Sequence, residues 1–167
     1  MMMTDTKYNV LFLCTGNSAR SILAESIVNY KWGSRFQGFS AGSHPAGKVN
    51  AGAIELLERL RFPTHDLRSK SWDEFAQAGT PVLDFIITVC DNAAGETCPI
   101  WPGKPMTAHW GVPDPTHIEY PVARSLAFDE AFRLLSRRIE LFANLPISSL
   151  DKMTLSSRLR EIGKAGE

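Results

Sequence analysis

Residues 83–89, LDFIITV, form an almost unbroken apolar run. A strand this uniformly apolar is stable only where both faces of its sheet are covered, which restricts the chain to a layered fold of helices and parallel strands. A second short run, YNVLFLC at 8–14, also reads as a buried strand. A tight turn joins it to SILAESIVNYKW, where Ile22, Ser26, Ile27 and Tyr30 recur at helical spacing before Gly33. RFQGFSAG (35–42) reads as the next strand, and Asn50 suits the N-cap of AGAIELLERL, whose Ile54, Leu57 and Leu60 share one face. Ser71 and Glu74 fit a capping box, and PMTAHW (105–110) reads as a weaker fourth strand. From about Val122 a long amphipathic helix carries Phe128, Phe132, Leu135, Ile139 and Phe142 at steps of four and three, a core stripe that Pro146 ends before a last short helix in 149–163. Strands alternating with helices predict a parallel sheet in an α/β sandwich. With 167 residues and no linker or repeat, one domain is expected over 1–167, a core of about 8–145 and a helical extension of about 147–167.

Ligands in such sheets bind beyond the carboxyl ends of the strands, and both Cys14 and Cys90 fall at that end of a predicted strand. Five residues, TGNSA, separate Cys14 from Arg20. A loop of that length can curl so that successive backbone N–H groups point inward, and the helix beyond adds its positive end. Thr15, Gly16, Asn17, Ser18, Ala19, Arg20 and Ser21 are therefore the candidate anion-binding residues. The Arg20 fork matches two oxygens of a tetrahedral oxyanion, Gly16 permits unusual backbone angles, and Asn17 tolerates the left-handed region. The same field is expected to lower the Cys14 thiol from about 8.5 to roughly 4–7, with Ser21 adding a hydroxyl hydrogen bond.

Composition excludes some partners. Lys+Arg and Asp+Glu both number 18, so net charge argues for neither nucleic acid nor an anionic membrane. No run approaches the ~20 apolar residues of a membrane helix, and MMMTDTKYNV lacks a secretory pattern, so a cytoplasmic location is expected. Three cysteines, Cys14, Cys90 and Cys98, make a poor static disulfide framework; they are either small buried hydrophobes or a transient redox set. A Cys2His2 zinc site from Cys90, Cys98, His109 and His117 lacks the usual short cysteine spacing, and no metal or cofactor is expected. His44, His65, His109 and His117 read as surface or loop histidines, His109 being the best exception because it lies near Asp114.

VLFLCTGNSARSILAE, with SAGSHPAGKVNAGAIELL, TVCDNAAGETCPIWPG and AHWGVPDP, resembles the low-molecular-weight tyrosine phosphatase superfamily, and within it the three-cysteine arsenate reductases. The resemblance implies a four-stranded parallel sheet flanked by helices in a three-layer sandwich. It implies arsenate as substrate, with phosphate or sulfate able to occupy the same loop. It further implies Cys14 as nucleophile on arsenic, Asp114 as general acid, Cys90 attacking Cys14, and Cys98 passing the disulfide outward to a reductant. Reduction of As(V) to As(III) takes two electrons, which two thiols supply in forming one disulfide. Positions eight apart on a helix are about 12 Å apart, and bridged Cα atoms lie within roughly 7 Å, so the 90–98 segment is expected to be mobile.

The resemblance also has departures. The Cys90–Cys98 interval is one residue longer than in thioredoxin-linked members, leaving both thioredoxin and a glutathione/glutaredoxin couple open as reductant. Some members bind potassium through residues matching Asn17, Glu25, Ser40 and an aspartate that Lys70 replaces here, so the Lys70 ammonium is expected in the cation's place. The alternative function is a tyrosine or small-molecule phosphatase. Against it, Thr116 and His117 stand where those enzymes carry aromatic residues, and Ala19 stands where they carry a second cysteine.

Overall fold

The computed structural model describes residues 7–90 and 101–166. Cys98 and the expected mobility of 90–98 lie outside the described residues. Four strands, β1 (Tyr8–Cys14), β2 (Phe36–Gly42), β3 (Phe85–Thr88) and β4 (Met106–His109), form one sheet in the order β2-β1-β3-β4. Every pairing is parallel, as the unbroken apolar runs require.

Strand alternation explains how both faces are covered. Val10, Phe12 and Cys14 of β1 join the larger core with Phe85 and Ile87, whereas Leu11, Leu13 and Ile86 face the opposite core with Trp72, Phe75 and Leu83. Against the first face lie α1 (Arg20–Lys31), α2 (Ala51–Arg59), α3 (Pro121–Ala143) and α4 (Lys152–Ile162), which bring Ile22, Leu57, Leu135, Phe142 and Leu159 into that core. The other face, to which β2 adds Phe39, is covered by a 3-10 turn, Trp72–Phe75, together with Leu83 and Trp101. The result is a three-layer α/β sandwich.

The α3 stripe packs as its spacing dictates: Phe128, Leu135, Ile139 and Phe142 are buried, and Phe132 is partly so. Asn50 caps α2, its side chain accepting from the Gly52 N–H at 2.8 Å. The capping box at 71–74 is half formed. Ser71 accepts from the Asp73 N–H, but the Glu74 carboxylate turns away to a two-point pair with Arg68 at 2.7 and 3.0 Å. A charge-assisted fork outcompetes a single bond to a backbone amide. None of the described helices is long and apolar enough to cross a membrane.

Phe142 meets the rings of Phe36, Phe85 and Trp110 with centroids 5.0, 5.0 and 5.8 Å away, so one residue of α3 holds β2, β3 and the segment after β4 together. Phe142→Ala is therefore expected to cost about 3–5 kcal/mol in urea unfolding, whereas Phe132→Ala, at the partly exposed edge, costs less.

Candidate active site

β1 and β3 are parallel neighbours with Leu13 opposite Thr88, so the chain leaves both strands on one side of the sheet. Cys14 ends β1, and Cys90 follows β3 by two residues, with the Val89 N–H bonded to the Leu13 carbonyl. The two cysteines are buried, 5% and 3% exposed, and Cys90 is close enough to perturb the Cys14 thiol. Cys90 Sγ also lies 3.6 Å from Thr15 Oγ1.

The loop 15–19 is shaped from outside. The carbonyls of Thr15, Gly16 and Ser18 accept from the N–H groups of His44, Ala46 and Asn50. In a planar trans peptide the following N–H points the opposite way, so the amides of Gly16, Asn17 and Ala19 turn from the 44–50 segment toward the concave side. Such a row of amides, ending in the start of α1, suits an oxyanion. The left-handed position is Asn17, at φ 46°, and not Gly16. Asn17 is fully buried; its Nδ2 donates to Ser21 Oγ at 2.8 Å and its Oδ1 accepts from the Lys70 N–H at 2.9 Å. Ser21, expected to donate to Cys14, accepts from Asn17 and keeps its own hydroxyl proton. Gly42 backs the loop so closely that a Cβ there would stand 2.4 Å from the Thr15 carbonyl oxygen.

Arg20 reaches across the mouth. Its Nη1 donates to the Val112 carbonyl at 2.9 Å and its Nη2 lies 3.4 Å from Asp114 Oδ2. Asp114 Oδ1 accepts from the Thr116 N–H and hydroxyl at 2.9 and 2.7 Å, and Oδ2 pairs with His117 Nε2 at 3.0 Å. Burial pushes the Asp114 carboxyl up, but Thr116, Arg20 and His117 together hold it below the ordinary carboxylate range. The partner of Asp114 is thus His117, not the singled-out His109, which contacts Thr88 Oγ1 at 2.7 Å. The signal for His117 was its place at the end of the 3-10 turn that Asp114 itself caps.

The expected depression of the Cys14 thiol is overturned. The hydrogen bond with Cys90 and burial raise it well above its ordinary value, outweighing the opposing charge of Arg20 and the Thr15 amide. The sequence expectation weighed the loop field and Arg20, and not a second thiol brought close by the topology.

Lys70 stands where the resemblance placed it. It is 8% exposed, and its ammonium lies 3.8 Å from Glu25 Oε1, 3.4 Å from Ser40 Oγ and 2.9 Å from the Arg68 carbonyl. Ser40 also hydrogen-bonds Glu25. Burial drives each partner toward its neutral form, Glu25 up and Lys70 down, while each partner's charge opposes the shift of the other. Among the described residues no group of three or more His, Cys, Asp or Glu side chains is placed to hold a metal.

A large cavity of about 1040 Å³ opens beside this constellation, lined by Arg20, Cys90, Asp114, Arg160 and Lys164 among others.

Comparison with known proteins agrees with this geometry. A family model described as low molecular weight phosphotyrosine protein phosphatase matches residues 9–154. An arsenate reductase from Halalkalibacterium halodurans is 31% identical over 140 residues, covering 80% of this chain and 94% of that protein. Among solved structures, an arsenate reductase in the phosphate-binding state superposes with a TM-score of 0.62 at 23% identity, covering 81% of this chain and 96% of the other. A thioredoxin-dependent arsenate reductase from Corynebacterium glutamicum gives 0.60 at 23% identity, covering 88% of this chain and 66% of that one.

Two outcomes follow from these electrostatics. Removing the Cys90 thiol removes the largest cause that raises Cys14. In Cys90→Ala the pH profile of Cys14 alkylation, followed by peptide mass, is expected to move to lower pH. Lys70→Met leaves the Glu25 carboxylate buried without its cation and is expected to cost about 3–5 kcal/mol at neutral pH. A carboxyl whose pKa is raised on folding binds more protons folded than unfolded, so the deficit shrinks as pH falls toward about 5; urea unfolding across that range checks it.

Proposed function

Because the chain belongs to the low molecular weight phosphotyrosine protein phosphatase family, we propose that it uses the family's anion loop for a redox reaction, the reduction of arsenate to arsenite. The observation that carries this reading is that the parallel β1–β3 pairing brings two buried cysteines, Cys14 and Cys90, to the same end of the sheet, with Cys90 Sγ against Thr15 of the loop. A phosphatase with this loop needs only one thiol, whereas two-electron reduction needs two. The arsenate reductases among its relatives, and the 31% identity to one of them, support the same reading.

The resting protonation states suggest how the first step runs. Cys14 holds its proton and Asp114 is a carboxylate, the reverse of a pre-formed thiolate beside a pre-formed acid. Arsenate enters on the loop amides and the Arg20 fork. Asp114 takes the thiol proton by way of the oxyanion's own oxygens, then returns it to the departing hydroxyl. Cys14 Sγ forms the bond to arsenic, the As–O bond breaks, and water leaves. Cys90 Sγ then attacks Cys14 Sγ. The S–As bond breaks, its electron pair stays on arsenic as arsenite, and a Cys14–Cys90 disulfide remains. Cys98 attacks Cys90, restores Cys14, and presents a Cys90–Cys98 disulfide to thioredoxin or to a glutathione/glutaredoxin couple. A cycle that ends on an external thiol reductant belongs in a reducing compartment such as the cytoplasm.

Arsenate-dependent oxidation of thioredoxin, and separately of glutathione with glutaredoxin, tests the scheme with each cysteine changed singly to serine. Cys14→Ser and Cys90→Ser are expected to stop turnover, while Cys90→Ser still binds phosphate. Sustained arsenite production by Cys90→Ser at the wild-type rate overturns the proposal.

A further inference from the structure

The segment that carries Asp114 is gripped from two sides. Consecutive carbonyls along it accept from two different arginines: Val112 from Arg20 at 2.9 Å, and Gly111 from Arg138 Nη1 at 3.0 Å. Arg138 is 0% exposed and belongs to α3; its Nε donates at 3.1 Å to the carbonyl of Ala165, beyond the end of α4. Desolvating a guanidinium is costly, so a buried one holds its acceptors tightly: displacing either carbonyl strands part of the charge.

Two more contacts join the same places. The Trp110 indole N–H donates at 2.9 Å to the Leu159 carbonyl in the last turn of α4, which accepts from the Gly163 N–H only at 3.4 Å. Gly163, just past α4, approaches the same segment so closely that a Cβ would stand 2.6 Å from the His109 carbonyl oxygen and 3.0 Å from the Trp110 ring. The end of α4 therefore touches His109, Trp110 and, through Arg138, Gly111, while Arg20 and Asp114 hang from the next three residues. Residues 155–167 lie outside the match to the family model.

We propose that Arg138, clamped between Gly111 and the C-terminal segment, is a positioning residue for the oxyanion site. The end of α4, with Trp110 and Gly163, forms a buttress that sets where Arg20 and Asp114 stand. The proposal rests on the reading of Arg20 and Asp114 as the residues that meet the oxyanion. A shift of about 1 Å in such a pair can cost on the order of a hundredfold in rate.

The test compares Arg138→Met, Arg138→Lys and Gly163→Ala with Leu155→Ala, a variant that weakens α4 from its buried face without altering Arg138, Trp110 or Gly163. Inorganic phosphate affinity is measured by calorimetry, and arsenate kcat and KM are measured well below each melting temperature. Arg138→Met and Gly163→Ala are expected to weaken phosphate binding about tenfold and to lower kcat/KM about ten- to a hundredfold. Arg138→Lys, which keeps the charge and loses the fork, falls between, and Leu155→Ala keeps wild-type values at a comparable loss of melting temperature. Should Arg138→Met fail to fold, Gly163→Ala carries the comparison. Wild-type binding and turnover in Gly163→Ala and Arg138→Lys, or equal impairment in Leu155→Ala, overturns the buttress. If the wild-type protein makes no arsenite while phosphate binding follows the expected order, the reductase reading fails and the buttress stands.

Discussion

The structure turns on two buried cysteines that the order of the sheet brings to one end of neighbouring strands. β1 and β3 are parallel neighbours, so the residues leaving their carboxyl ends emerge together, and Cys14 and Cys90 are among them. That adjacency depends on long-range pairing, and the cores on both sheet faces maintain it. Once the two thiols meet out of water, Cys14 does not behave as it would alone. Burial and mutual hydrogen bonding favour keeping a proton on the pair, and Arg20 is turned partly aside to Val112 and Asp114. The resting site keeps the proton on the Cys14 sulfur and the negative charge on Asp114.

Around this pair the chain builds rigidity in concentric layers. The anion loop is anchored by carbonyl contacts to 44–50 and by Asn17, whose side chain joins Ser21 to the backbone of Lys70. Behind Asn17 the buried Lys70–Glu25 pair, with Ser40, braces the loop from within. On the other side of the mouth the Asp114 segment is secured by Arg20 and Arg138 at successive carbonyls. Preorganised donors of this kind hold their geometry at the moment of reaction, which makes them effective toward a developing negative charge.

Much of this was legible in the amino-acid sequence, and what escaped did so for identifiable reasons. Local signals were reliable: the apolar runs of β1 and β3, the Asn50 cap and the α3 stripe are properties of a few adjacent residues, and all appear. The Cys14–Arg20 loop was equally readable, because its length, its glycine and asparagine, and the flanking strand and helix act together. Competition between side chains was not readable. The Ser71 box lost Glu74 to Arg68, the Cys14 thiol was raised by a residue 76 positions away, and His117 found Asp114 only through the 3-10 turn between them. Arg138 did leave a mark, a cation set among Leu134, Leu135 and Ile139 on an apolar stripe, but its partners at Gly111 and Ala165 are each 27 residues away.

The account stands on electrons moving from the Cys14–Cys90 pair to arsenic, and one measurement addresses that step without any reductant. The Cys98→Ser variant, fully reduced and given arsenate alone, is quenched with an alkylating agent and mapped by peptide mass while arsenite is counted. A Cys14–Cys90 disulfide in stoichiometric proportion to about one arsenite per chain is the expected result. Arsenite without that disulfide, or both thiols recovered alkylated with arsenate unchanged, contradicts it.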